Sequence, residues 1–174
     1  MATHAIIALE YPDNTVRGVY LNNDVYVKEA GFILQAFYSN PNAVQALLNL
    51  GHLNTLGVRL GEKTDMCNRT ALMQHQGQCL AYNRDGVEAY GIYQEVDWNA
   101  FRRRYAEDYI YLYRCKDNTW YVRSPKMAKL AKLVNVLHTT DLCVWKNRFA
   151  DGRNYTPVEI QVGKNALRLL RTTR

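Results

Sequence analysis

The stretch Tyr109-Ile110-Tyr111-Leu112-Tyr113-Arg114-Cys115-Lys116-Asp117-Asn118-Thr119-Trp120-Tyr121-Val122-Arg123 is the strongest structural signal in the chain. Tyr109, Tyr111 and Tyr113 alternate with Ile110, Leu112 and Arg114, which is the two-residue period of a β-strand. Lys116-Asp117-Asn118-Thr119, with Asp-Asn at its centre, predicts a tight turn that sends the chain back through Trp120 to Arg123. With a two-residue loop, Cys115 would pair with Trp120, Arg114 with Tyr121, Tyr113 with Val122 and Leu112 with Arg123. That pairing puts Tyr109, Tyr111, Tyr113, Cys115, Trp120 and Val122 on one face, and Ile110, Leu112, Arg114, Tyr121 and Arg123 on the other. The first face is expected to pack against helices. The second sets guanidinium groups beside a stacking aromatic, which suits either a phosphate with a base or an ordinary cross-strand Arg-Tyr contact.

Towards the N-terminus, residues 4–9 and 16–21 are β-rich runs around Pro12-Asp13-Asn14, so a second hairpin is expected. Ala30, Phe32-Ile33-Leu34 and Phe37 recur at helical spacing within 27–38. Asn40 and Pro41 then cap and start another helix, whose buried stripe is Val44, Leu47, Leu48 and Leu50 and whose end is marked by Gly51. Residues 52–78 read as a long loop, Cys79–Tyr82 as a short strand, and Trp98–Tyr105 as a short helix capped by Asp97.

Past Ser124-Pro125, Met127, Leu130, Ala131, Val134 and Leu137 predict an amphipathic helix over 126–138, with Lys126, Lys129 and Lys132 sharing another face. A β-like Asp141–Trp145, a Val158–Val162 strand and a Lys164–Arg171 helix complete the chain. The expected architecture is α+β: an antiparallel sheet built from hairpins and packed against two or three helices. Residues 1–123 form the core domain, and residues 124–174 form a basic helical C-terminal extension packed on or appended to it.

The composition bounds the function. One hundred and seventy-four residues that are 48% hydrophobic and 22% charged suit one packed domain and exclude a disordered chain. The net charge of +6 is unevenly spread. Residues 1–97 hold 6 Lys/Arg against 10 Asp/Glu, net −4, whereas residues 98–174 hold 16 against 6, net +10. The cationic part is therefore where an anionic partner is expected. The first residues lack the basic and long apolar segments of a signal peptide, and no run approaches a membrane span, so a cytoplasmic, non-membrane protein is expected. Cys67, Cys79, Cys115 and Cys143 are widely spaced and read as free thiols. Cys67, His75 and Cys79 match no zinc spacing, and the histidines His4, His52, His75 and His138 lie far apart. No phosphate-binding glycine loop, dinucleotide fingerprint or hydrolase motif occurs, so neither a metal nor a cofactor is expected.

Several segments taken together resemble an uncharacterised family of small proteins encoded by bacteriophages and prophages. They are Thr15-Val16-Arg17-Gly18-Val19-Tyr20, Leu48-Asn49-Leu50-Gly51-His52-Leu53-Asn54-Thr55-Leu56-Gly57, Ala81-Tyr82-Asn83-Arg84-Asp85 and Trp120-Tyr121-Val122. The resemblance spans roughly residues 3–123. In that family the second strand runs into a Cys-His-Trp-Asp-Gly-Tyr-like motif, where this chain has Leu21-Asn22-Asn23-Asp24-Val25-Tyr26 and keeps only Asp24 and Tyr26. The resemblance implies a phage accessory protein that acts on host defence.

The candidate ligand-binding residues are Asp24, Tyr26, Arg84 and Asp85, with Arg102, Arg103, Arg104, Arg114, Tyr121 and Arg123, and the extension contributes Lys126, Lys129 and Lys132. Arg84 can clamp an anion with Asp85 or Asp24 on a ribose hydroxyl, or Arg84-Asp85-Gly86 can close a turn with an internal ion pair. The leading expectation is an inhibitor that binds, without catalysis, a nucleotide-type immune signal or a host protein. The alternatives are a nucleic-acid-binding protein using the basic-aromatic half, and a nucleotide- or RNA-cleaving enzyme using Asp24, Arg84, Asp85 and a histidine. A homo-oligomer is compatible with each.

Overall fold

The computed structural model describes residues 3–86 and 91–172. The N-terminal hairpin is present as β1 (Ala5–Glu10) and β2 (Val16–Leu21). A π-helical turn (Val27–Gly31) leads into α1 (Phe32–Phe37), and α2 (Pro41–Leu48) follows. Asn40 accepts from the Ala43 N–H with Pro41 in the first turn, and Gly51 takes a φ of 77° after the helix. These are the start and stop signals the residues carry. The expected loop holds β3 (Leu53–Thr55) and α3 (Arg69–Gln74). Next come β4 (Leu80–Ala81), α4 (Tyr82–Asp85), β5 (Tyr93–Glu95) and α5 (Trp98–Arg104). The central hairpin is β6 (Tyr109–Arg114) and β7 (Thr119–Arg123). The remainder is β8 (Ala131–Lys132), α6 (Leu133–His138), α7 (Cys143–Asp151) and α8 (Pro157–Thr172).

The class is α+β, but the sheet is mixed rather than antiparallel. Its order is β4-β3-β2-β1-β6-β7-β8, with β5 beside β3 on the outer edge of β2. The two hairpins meet through β1 and β6, which run parallel with Ala5 opposite Tyr109 and Glu10 opposite Arg114. The reason lies in β1. Ala5 through Leu9 are all buried, so both faces of this strand are covered, as in the central strands of parallel sheets.

The β6–β7 register also differs from the two-residue-loop reading. Tyr113 pairs with Trp120, Leu112 with Tyr121, Tyr111 with Val122 and Ile110 with Arg123, across a four-residue turn at 115–118. Each partner moves by two positions, so the sorting of side chains between faces survives.

The face carrying Tyr111, Tyr113, Trp120 and Val122 is covered by α1, α2, α6, α7 and α8 in one continuous core. Buried phenols and indoles find backbone acceptors there. The Tyr111 hydroxyl donates to the Val25 carbonyl at 2.7 Å, the Trp120 indole to Tyr38 at 2.7 Å and the Trp145 indole to Lys28 at 2.7 Å. The chain after Ser124 packs into this same core through Leu133, Leu137, Leu142, Trp145, Phe149, Leu167 and Leu170. Arg148 forks onto Glu29 at 2.7 and 3.3 Å beside them.

Three C-terminal expectations are corrected. Residues 124–130 are not helical; β8 instead pairs with Tyr121 and Val122, because an open sheet edge offers backbone partners that a local helix would forgo. Lys126, Lys129 and Lys132 therefore do not form a helical stripe. Asp141–Trp145 is not a strand: the Asp141 carboxylate accepts from the Cys143 N–H, and α7 turns Trp145 and Phe149 to one buried face. Val158–Val162 and Lys164–Arg171 belong to one helix. Its start is a capping box in which the Thr156 N–H donates to Glu159 at 2.8 Å and the Glu159 N–H donates to Thr156 at 3.2 Å.

Candidate functional site: a cationic cleft on the open face

The opposite sheet face is covered mainly by α5. Gly18 makes this possible: a Cβ there would lie 2.6 Å from the Phe101 ring, so only glycine lets the helix sit this close. Ile6, Ala8, Val16, Phe101 and Leu112 form the small core beneath.

On one flank of α5 lies a cleft of about 260 Å³ lined by Trp98, Arg102, Ile110, Arg123, Ala128, Lys129 and Leu130. Three separate elements supply its chemistry. The Asp97 carboxylate caps α5 by accepting from the Ala100 N–H at 2.8 Å, which sets Trp98 and Arg102 one turn apart on the same side of the helix. β7 contributes Arg123, and the loop after Pro125 contributes Lys129. Ile110 and Leu130 give apolar surface. Among the described residues no carboxylate lines the cleft, so three cations face one space without a lining anion.

Arg123 is the most telling of them. One terminal nitrogen donates to the Glu107 carbonyl at 3.3 Å, while its Nε is buried without a hydrogen-bond partner. An unsatisfied buried donor of this kind costs on the order of 1–3 kcal/mol. A planar guanidinium is also the side chain best shaped for a phosphate oxygen pair.

The other expected site residues separate into different places. Arg114 stacks over Tyr121 at 4.6 Å and pairs with Glu10 at 3.4 Å, while the Tyr121 hydroxyl donates to Asp117 at 2.6 Å. This is the cross-strand contact, at the turn end of the hairpin. Arg104 pairs with Glu95 at 2.8 Å, and Arg103, Lys126 and Lys132 are exposed outside the cleft.

Arg84 and Asp85 are tied to each other and to the backbone. Arg84 donates to Asp85 at 2.8 and 2.9 Å and to the carbonyls of Leu60, Gly61 and Cys79. Asp85 also accepts from the backbone N–H groups of Thr64 and Ala81. Burial alone would raise the Asp85 carboxyl, yet Arg84 and these two amides hold it below its ordinary value. The pair thus fastens the 60–64 loop to β4. Among the described residues no hydrogen bond or ion pair joins it to Asp24 or Tyr26. Asp24 sits at a positive-φ turn of 55°, and Tyr26 packs edge-on against Tyr109 at 5.8 Å.

All four cysteines are free. Among the described residues no group of three or more His, Cys, Asp or Glu side chains is placed to hold a metal, and no helix is long and apolar enough to cross a membrane. The sequence reading missed Trp98 as a residue of this cleft, although its i to i+4 spacing from Arg102 behind an N-cap carried the signal. Comparison with family models, with curated proteins and with solved structures returned no match to this chain.

Proposed function

We propose that the chain binds, without turnover, a phosphate-bearing small ligand of the nucleotide type in the cleft formed by Trp98, Arg102, Arg123 and Lys129. The observation that carries this reading is a cleft that gathers Arg102, Arg123 and Lys129 beside an indole with, among the described residues, no carboxylate on its walls. The cations suit the phosphate, and Trp98 offers a face for the base. The volume is at the small end for ligand pockets, which favours a mononucleotide or a cyclic nucleotide over a long polymer. The resemblance to phage-encoded proteins supplies the biological setting: an accessory protein in the host cytoplasm that sequesters a nucleotide immune signal.

The test is calorimetric titration with linear and cyclic mononucleotides and with inorganic phosphate. Arg102→Ala and Lys129→Ala each remove a charge-assisted contact and are expected to weaken binding roughly 10- to 100-fold, with the melting temperature nearly unchanged. Ligand recovered chemically intact after denaturation supports sequestration, and converted ligand points to an enzyme. Absence of binding by every phosphate-bearing compound overturns the proposal. Tight binding of oligonucleotides alone, with a steep salt dependence, replaces it with nucleic-acid recognition.

A further inference from the structure

The same sheet face holds a second cleft of different chemistry. It has a volume of about 360 Å³ and is lined among the described residues by Tyr20, Asn22, His52, Tyr82 and Tyr93. None of these side chains carries a permanent charge. Their rings come from β2, β3's approach, α4 and β5, so the cleft exists only because β3 and β5 dock on the same edge of β2.

The walls are held in place from behind. The His52 Nδ1 accepts from the Tyr20 N–H at 2.9 Å, so in the neutral ring the proton sits on Nε2. Burial lowers the affinity of this imidazole for a second proton, which keeps it an uncharged wall at neutral pH. Tyr93 stacks on Tyr105 with centroids 4.3 Å apart and planes 16° from parallel. His52 lies 4.8 Å from Tyr93, and Tyr20 meets His52 edge-on at 6.2 Å. The Tyr20 hydroxyl donates to the Asn22 side-chain oxygen at 3.4 Å, which orients the amide with its N–H groups still to be used. An Asn54 amide donates to the Tyr82 hydroxyl at 3.1 Å.

We propose that this cleft is a binding site for an uncharged, planar, hydrogen-bonding heteroaromatic group of the nucleobase or nucleoside class. Aromatic rings provide faces on which any base can stack, and a side-chain amide matches the donor and acceptor edge of a base. The absence of a cation among its described walls separates it from the Arg102–Arg123 cleft, which calls for phosphate. A cage for a quaternary ammonium would use the same rings but would leave the Asn22 amide N–H groups unused.

The two clefts are distinct in place as well as chemistry. Tyr20, Ile6, Ile110 and Arg123 lie opposite one another across β2, β1, β6 and β7, so Tyr20 and Arg123 stand three strand spacings apart, about 14 Å. At that separation substitutions in one cleft should leave the other unchanged. This inference does not depend on the phosphate-binding reading.

The experiment is a titration of the full chain with adenosine, guanosine, cytidine and uridine, followed by thermal shift and calorimetry, with tetramethylammonium as the contrasting probe. At least one nucleoside is expected to bind. Asn22→Ala and the nearly isosteric Asn22→Asp are each expected to weaken it about tenfold or more, while Arg102→Ala and Lys129→Ala leave it unchanged. Asn22→Asp guards against an unfolded Asn22→Ala chain. The proposal is overturned if no nucleoside binds the unaltered chain, or if tetramethylammonium alone binds. It is also overturned if nucleoside affinity falls in the Arg102 variant and persists in both Asn22 variants.

Discussion

The two faces of the sheet are built differently. Among the described residues, thirty buried side chains form the core on the helix-covered face, against five in the core beneath α5. On the covered face the buried indoles and phenols reach backbone carbonyls, and Arg148 finds Glu29. On the open face Arg123 keeps an unmatched donor, and there are two clefts, one of them taking Trp98 and Arg102 from a seven-residue helix. The contrast teaches where the chain satisfies its polar groups internally and where it does not. Five helices bury one face well enough to hold the sheet, which leaves the other free to keep polar groups that no internal partner satisfies.

Trp145→Ala tests that division most severely. Trp145 is buried against Phe32, 4.9 Å away, and Phe149, and its loss is expected to cost about 3–5 kcal/mol in urea unfolding without altering ligand contacts. Trp98→Ala should cost clearly less while weakening phosphate binding. Equal losses at the two tryptophans would dissolve the distinction.

Gly18→Ala addresses the thin layer itself. The added methyl meets Phe101 at 2.6 Å and Ile6 at 3.2 Å, and an overpacked site of this kind costs about 1–3 kcal/mol. Because α5 carries Trp98 and Arg102 into the cationic cleft, and its C-cap Tyr105 stacks on Tyr93 of the aromatic one, both ligand affinities should fall with the melting temperature. A variant that loses stability and keeps both would show that the position of α5 does not shape either site.

The smallest expected effect concerns pH. Burial depresses the His52 pKa below its ordinary 6.5, so between the folded and unfolded values the unfolded chain binds the extra proton. Stability from this group is present above 6.5 and is lost as pH falls through the window beneath it, at no more than about 1.4 kcal/mol per pH unit. His52→Gln should flatten the change in the urea midpoint between neutral and mildly acidic buffer. An undiminished slope would assign the acid sensitivity elsewhere.

Much of the local structure was legible. Asn40-Pro41 and Gly51 bound α2, Asp97 caps α5, and the alternation over 109–123 sorts Tyr111 and Trp120 inward and Tyr121 and Arg123 outward. The capping box at Thr156 and Glu159 was equally present in the residues and went unread, because Val158, Ile160 and Val162 mimic a strand's period. Of the candidate site, Arg102, Arg123 and Lys129 were marked as cations. Nothing in their spacing distinguished them from Arg84, which is spent on Asp85 and three carbonyls, or from Arg114, which is spent on Glu10 and Tyr121.

Sequence alone thus determined which segments are strands and helices near strong caps, which hairpin face is apolar, and that the cationic surface lies after residue 97. These depend on neighbours a few positions apart, where backbone geometry and side-chain period act directly. Only the tertiary structure decided the parallel pairing of β1 with β6, the use of the chain after Ser124 as sheet edge and helical cover, and the two clefts. Each of those requires elements tens of residues apart to meet. Which backbone edges pair and which cations find carboxylates is settled by the packing of the whole, not by any local pattern.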